Sequence, residues 1–261
     1  MTPTAPDFLP LPDGNRLAFH RAPGRGPEVL FVHGFRSDMT GEKAVALERH
    51  CRERGLACTR FDCRGHGASS GRFEDLAIGD WARDVLAVLD RVVEGPCVLV
   101  GSSMGGWLAL LAALARPDRV VGLVGIAAAP DFTADLIRPR LPPEAVARLE
   151  AEGLILAPSA YGDPYPITRR LLEDGERHLL LRGPIPLRMP VHLLHGQEDA
   201  DVPWQTALRL AAQLESPAVT VELVKDGGHR LSRPEDLRRI TAAVDRVVEQ
   251  AERDRAAKPL R

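Results

Sequence analysis

Cys97-Val98-Leu99-Val100-Gly101-Ser102-Ser103-Met104-Gly105-Gly106-Trp107 is the stretch on which the fold turns. Its first four residues make a short apolar run of the kind a parallel sheet buries on both faces, and Trp107-Leu108-Ala109-Leu110-Leu111 opens an apolar helix. Between them Gly-x-Ser-x-Gly makes a tight turn. A serine held there in a strained backbone conformation projects its hydroxyl above the sheet, while strand and helix pass too closely for side chains at the flanking positions. Centring the pattern on Ser102 would put Val100 and Met104 where room is needed; centring it on Ser103 puts Gly101 and Gly105 there. Ser103 is therefore the candidate nucleophile on a nucleophile elbow. A chance glycine-serine turn is the plain alternative, and the strand before it and helix after it argue against that.

Outward from the elbow the same alternation continues. Val29-Leu30-Phe31-Val32 and Ala57 to Phe61 read as strands. Glu42 to Arg54 can place Ala44, Val45, Leu47 and Cys51 on one helical face, and Gly55 closes that helix. Arg16 to His20 forms an early strand after the Asp13-Gly14 turn, and a helix covers about Leu76 to Val93. The elbow helix stops near Arg116-Pro117, and Val120 to Ala127 is another buried strand. Pro190 to Leu194, Thr206 to Leu214 and Val219 to Val224 continue as strand, helix, strand. Ser232-x-x-Glu235, with Pro234 in the first turn, reads as a capping box for a last helix toward Glu252. Strands separated by helices predict an α/β fold with a mostly parallel central sheet flanked by helices on both faces.

Asp131 to Arg188 breaks this rhythm. It is rich in proline, carries helical patterns at Glu144 to Glu152 and Ile167 to Leu181, and contains no clear buried strand. The expectation is one domain over residues 1–261 with a small helical cap inserted at 131–188, where this class admits insertions over the active site. Phe132, Leu136, Ile137, Tyr161 and Tyr165 are candidates for its lining. An extra layer away from the site is the alternative.

A chain of 261 residues with 44% hydrophobic content can bury one large core, and a net charge of -2 offers no field for nucleic acid or an anionic membrane. Lysine occurs only at Lys43, Lys225 and Lys258, so arginine supplies almost all the 34 basic residues, a bias that fits GC-rich bacterial coding rather than a binding surface. Met1 to Pro12 has neither the basic start and apolar core of a secretory signal nor the length of a membrane span, so a cytoplasmic protein without stable membrane insertion is expected. Cys51, Cys58, Cys63 and Cys97 lack metal-type spacing and are expected reduced and buried. No metal and no cofactor is called for. The oligomeric state is not legible.

A serine hydroxyl is a weak nucleophile near neutral pH and needs a histidine to take its proton, which in turn needs a carboxylate to fix its tautomer. Downstream of Ser103 stand His178, His192, His195 and His229. His178 lies in the expected cap, His192 lies within a strand, and His195 directly precedes an acidic turn that it is expected to serve. His229 follows Gly227-Gly228 just after the last strand, at the carboxyl edge where ligands bind in parallel folds, and is the candidate base. Position alone leaves Glu198, Asp199 and Asp201 open as the acid.

Several segments resemble the α/β hydrolases. Gly196-x-x-Asp199-x-x-Val202-Pro203 is similar to a pattern recurrent in that family and implies Asp199 as the acid, with Asp201 as runner-up. His33-Gly34-Phe35 resembles the family's His-Gly-x turn, which implies an oxyanion hole built from the backbone N–H groups of Phe35 and Met104. Asp62-Cys63-Arg64-Gly65-His66-Gly67-Ala68-Ser69 is similar to its Asp-x-Arg-Gly-x-Gly-x-Ser loop, for which a structural role of Arg64 and His66 is expected. Cys63 is expected to pack rather than react. Ser37 to Ala44, Cys51 to Asp62, Gly101 to Trp107, Pro184-Ile185-Pro186 and Leu193 to Trp204 together resemble the mitochondrial palmitoyl-protein thioesterases, also called mycophenolic acid acyl-glucuronide esterases.

The resemblance implies an α/β-hydrolase fold and a serine hydrolase cleaving S-acyl thioesters and acyl glucuronides with Ser103, Asp199 and His229. Its partners would be a small acyl ester or thioester, or an acylated protein. A peptidase or amidase and a cofactor-free perhydrolase could use the same residues, and a non-catalytic binding module is the alternative from another class. Ser103 itself argues against the epoxide hydrolases and dehalogenases of similar fold, which carry a carboxylate at the elbow.

Overall fold

The computed structural model describes residues 5–157 and 164–257. The apolar runs become the middle of one eight-stranded sheet built from β1 (Asp7–Pro10), β2 (Arg16–Ala22), β3 (Arg25–Val32), β4 (Leu56–Phe61), β5 (Cys97–Ser102) and β6 (Val120–Ile126), then, after a separate hairpin of β7 (Leu154–Ala157) and β8 (Tyr165–Thr168), β9 (Val191–Gly196) and β10 (Val219–Val224). Spatial order is β1-β2-β4-β3-β5-β6-β9-β10. Every pairing from β4 to β10 is parallel; β1 with β2 and β2 with β4 are antiparallel. The elbow strand β5 lies inside, with Val98 opposite Val29 on one side and Gly122 on the other. The loops after β3, β5, β6, β9 and β10 therefore leave the same carboxyl edge, where side chains far apart in the chain can meet.

Helices cover both faces because a parallel sheet must be buried on both. α1 (Glu42–Arg54) and α7 (Pro234–Ala256) pack Leu47, Cys51, Val244 and Val247 against one face. On the other, α2 (Ile78–Arg91), α3 (Met104–Ala115) and, beyond α4 (Pro143–Glu152) and α5 (Arg169–Glu176), α6 (Gln205–Gln213) contribute Trp81, Val85, Trp107, Leu108 and Leu210. Gly55 caps α1 in the left-handed conformation at φ 69°, as its position after the periodic run requires. The four cysteines are free and buried, and burial raises the thiols of Cys63 and Cys97 above their usual range, so neither of these two is a poised nucleophile.

The structure differs from the sequence expectations in three places. Asp7–Pro10 is a strand, which Pro10 and the prolines around it concealed; it lies at the sheet edge, where a missing N–H costs no ladder bond. The 131–188 segment is not purely helical: β7 and β8 form an antiparallel hairpin, and the pattern over Ile167 to Leu181 splits into the end of β8 and the shorter α5. At the start of α7, Arg233 rather than Ser232 is the first cap residue, and Asp236 rather than Glu235 accepts its N–H, at 3.2 Å.

The 131–188 segment is fixed to the carboxyl-edge side of α2 and α3. The buried Asp131 carboxylate accepts the N–H groups of Leu180 and Leu181 at 2.7 and 2.8 Å, joining the beginning of the segment to its end. Trp107 of α3 donates its indole N–H to the carbonyl of His178 at 3.0 Å, and the Gly79 amide of α2 donates to Asp174 of α5 at 2.6 Å.

Candidate active site

The turn between β5 and α3 carries the strain that the sequence implies. Ser103 has φ 54° and ψ −119°, sterically unfavourable for any residue with a Cβ. Three backbone hydrogen bonds hold it there: its N–H donates to Ile126 at 2.9 Å, and its carbonyl accepts from Gly106 at 2.9 Å and Ala129 at 3.1 Å. A Cβ on Gly101 would lie 2.3 Å from the Gly105 carbonyl oxygen, and one on Gly105 would lie 2.1 Å from that of Val32. Neither distance is physical, so glycine is obligatory at both positions. Ser102 is instead the last residue of β5, paired opposite Ile126.

Two loops bring the other candidates to this hydroxyl. His229 places Nε2 at 3.1 Å from Ser103 Oγ and Nδ1 at 2.8 Å from Asp199 Oδ2. An ionised carboxylate only accepts, so Nδ1 carries the imidazole proton and the Nε2 lone pair faces the serine hydroxyl. Of the three acids on the loop, Asp199 is the one bonded to His229. Asp199 Oδ1 accepts the amides of Asp201 and Val202 at 2.9 and 2.8 Å, and Oδ2 accepts from His229 and, at 3.1 Å, from His195. Burial alone would push this carboxyl up, but the bonds from His195 and His229 and the Val202 amide outweigh it and hold it below the ordinary carboxylate range. Asp201 enters this arrangement through its main chain.

The turn expected to supply an amide stands beside the serine. A Cβ built on Gly34 would fall 3.3 Å from that of Ser103. Among the described residues, neither the Phe35 nor the Met104 amide donates to a protein acceptor. Met104 also opens α3, whose dipole favours negative charge at that end. Behind the turn, His33 accepts the Cys63 amide on Nε2 at 3.0 Å and donates Nδ1–H to the Gly34 carbonyl at 2.8 Å. His66 accepts the Arg36 amide at 3.3 Å, and burial holds it neutral, pushed down to about 3. Arg64 is tied to Asp84 at 2.7 Å and Asp13 at 3.0 Å. The loop from Asp62 to Ser69 thus shapes the turn, as expected, while His192 faces Glu222 on the sheet at 3.3 Å.

Of the expected cap lining, Phe132 and Tyr165 set their rings edge-on against Phe35, each with centroids 5.7 Å apart. Leu136 and Ile137 are partly buried against the core, and Tyr161 lies outside the described residues. A cavity of about 520 Å³ is lined by residues of the 131–188 segment and of α6, among them Leu136, Leu181, Arg182 and Arg209, and by Pro130. Ser103, Asp199 and His229 are not among its lining residues. Asp199, Asp201 and His229 bring ligand atoms within 4.8 Å of one another. The Asp199 oxygens already receive four donors, which leaves that carboxylate poorly disposed to bind a cation.

His195 is the feature that sequence reasoning undervalued. It serves the acid turn, as expected, by contacting the Val202 carbonyl at 3.0 Å, but it also reaches the Asp199 carboxylate. Its place four residues before the acid was the available signal.

Comparison with known proteins places this arrangement. The profile of the alpha/beta hydrolase family matches residues 29–240. The mitochondrial palmitoyl-protein thioesterase ABHD10 of Bos taurus is 40% identical over 249 residues, covering 95% of this chain and 81% of the bovine protein. Its Homo sapiens counterpart is 39% identical over the same coverage. The solved structure of alpha/beta hydrolase domain-containing protein 10 from mouse superposes with a TM-score of 0.87 at 40% identity, over 94% of this chain and 99% of that one. No helix of the described residues is long and apolar enough to cross a membrane. With its profile match, its sheet order and its relatives in agreement, the chain belongs to the alpha/beta hydrolase family.

Proposed function

We propose that this protein is a serine hydrolase that cleaves carboxylic thioesters and esters through an acyl-enzyme, with Ser103 as nucleophile, His229 as general base and acid, and Asp199 as the orienting carboxylate. The observation that carries this reading is the continuous contact from Ser103 Oγ, on a strained elbow, through His229 to Asp199, at 3.1 and 2.8 Å. As Ser103 Oγ attacks the acyl carbon, its proton passes to His229 Nε2 and the imidazolium is stabilised by Asp199. The carbonyl oxygen takes up the negative charge against the amides of Phe35 and Met104, which have no protein acceptor among the described residues and so can donate to it. Collapse expels the thiol or alcohol, which receives the proton from His229; water, deprotonated by the same imidazole, then attacks the acyl-serine, and as the bond to Ser103 Oγ breaks His229 returns that proton to Oγ and the acid leaves.

The 131–188 segment is the cap in this account, bearing on the acyl group through Phe132 and Tyr165, which flank Phe35. The relatives named palmitoyl-protein thioesterases support a long-chain thioester as substrate. A thiolate leaving group, with a pKa of about 8.5 for a simple thiol, departs with less proton assistance than an alkoxide. The measurement that checks the substrate class is kcat/KM over matched ester and thioester series from acetyl to palmitoyl, with Ser103→Ala as blank. The reading predicts a maximum at long thioesters; a maximum at short oxygen esters would contradict the thioesterase assignment and leave a general carboxylesterase. A cytoplasmic location is proposed alongside it, although the named relatives are mitochondrial, and recovery of the native protein outside the cytoplasmic fraction would overturn it.

A further inference from the structure

We infer that His195 is a positioning residue of this site: it donates into the same Asp199 oxygen that receives His229, and so sets the direction and strength of that carboxylate's hold on the base. The inference rests on reading Ser103, His229 and Asp199 as the reacting relay.

The hydrogen-bond geometry fixes the state of the ring. His195 Nε2 faces two atoms that can only accept, Asp199 Oδ2 at 3.1 Å and the Val202 carbonyl at 3.0 Å, so Nε2 carries the proton. Nδ1 is buried with no partner among the described residues, and a proton there would be stranded without an acceptor. The ring is therefore the neutral Nε2–H tautomer. The side chains of both His195 and Asp199 are wholly buried, so no bulk water can take over either bond.

Two imidazole N–H groups thus converge on one carboxylate oxygen, while two backbone amides hold the other. Each donor that a carboxylate accepts lowers its basicity. His195 weakens the pull of Asp199 on the His229 proton and at the same time fixes the carboxylate plane and the Val202 carbonyl. The charged residues next along the chain are Glu198 and Asp201 on the acid loop and Arg230 after the base; Lys43 of α1 donates to the Arg230 carbonyl and Arg140 to the Asp201 carbonyl. Among the described residues, the donors to Asp199 Oδ2 are the two histidines.

The test compares pH profiles of kcat and kcat/KM for the wild type, His195→Leu and His195→Gln on one acyl thioester. Removing the donor in His195→Leu moves the acid limb of kcat/KM upward by about half a pH unit to one unit and lowers kcat about tenfold, with KM within about twofold. His195→Gln can bring an amide N–H to the place of Nε2 and returns both quantities toward wild type. Should His195→Leu fail to fold, His195→Asn, too short to reach Asp199, takes its place against His195→Gln. A profile for the leucine or asparagine variant that superposes on wild type while only Tm falls would show a purely structural role and overturn the inference, as would a glutamine variant displaced as far as leucine. Labelling of wild-type Ser103 by a fluorophosphonate separates the two readings: an unlabelled Ser103 defeats the relay itself, whereas a labelled one with an unmoved profile defeats only the role of His195.

Discussion

Replacing Asp199 by asparagine lowers kcat by about 10⁴-fold while the protein still folds. The reason lies in what an amide presents to its neighbours. With its nitrogen at the Oδ2 position, the new side chain would face the N–H groups of His229 and His195; with its nitrogen at Oδ1, it would face the amides of Asp201 and Val202. The first orientation forces His229 to carry its proton on Nε2, where it cannot take one from Ser103. The second opposes donors to donors in a buried site, at a cost of about 1–3 kcal/mol. The first removes the base and the second leaves a neutral amide where the imidazolium needs a carboxylate, so steady-state kinetics on one thioester shows a collapse in kcat and little change in KM, and Tm falls by no more than about 10 °C. Asp201→Asn, whose position contributes a backbone amide to Asp199, stays within about tenfold of wild type. Equal losses from the two variants would dismiss Asp199 as the acid.

Gly105→Ala is expected to cause a large loss of stability from a single methyl group. The added Cβ would meet the backbone oxygens of Val32 and His33 at 2.1 and 2.5 Å, and a backbone atom cannot swing aside as the end of a side chain can. Relief requires α3 to move away from the end of β3, which costs at least about 3 kcal/mol and lowers Tm by about 10 °C. The end of β3 leads into Gly34 and Phe35, and α3 begins at Met104 beside Ser103, so activity falls with stability and remains reduced at temperatures where the variant is folded. Gly183→Ala is the control, since a Cβ there meets nothing within 4 Å and its backbone is not in the left-handed region. Thermal unfolding and kcat/KM of the two variants, side by side, decide the point; an alanine at 105 as stable as wild type would mean that helix and strand do not approach as closely as described.

These two cases also show why some of the molecule can be read from its sequence and some cannot. The elbow is legible because close passage of strand and helix admits only glycine at 101 and 105, which leaves a mark in the residues themselves. The buried parallel strands are legible for a similar reason: burial on both faces demands unbroken apolar runs such as Val29 to Val32. Asp7–Pro10 left no such mark, because an edge strand needs a partner on one side only and tolerates proline. The β7–β8 hairpin escaped because strands of four residues carry too little periodicity to distinguish from a helical turn. The choice among Glu198, Asp199 and Asp201 depended on a family resemblance, since all three follow the same strand end and only the fold of the loop aims one of them at His229. His195 shows the same limit: its place before the acid turn was visible, but its second bond was not.

Mass spectrometry of the protein quenched during turnover of a palmitoyl thioester, repeated after reaction with a fluorophosphonate, tests the central claim most directly. The account predicts one acyl group and one phosphonyl group, each on the peptide containing Ser103, neither present in Ser103→Ala, and the phosphonylation slowed by the thioester. A label on any other residue, or thioester hydrolysis that survives in Ser103→Ala, would contradict it.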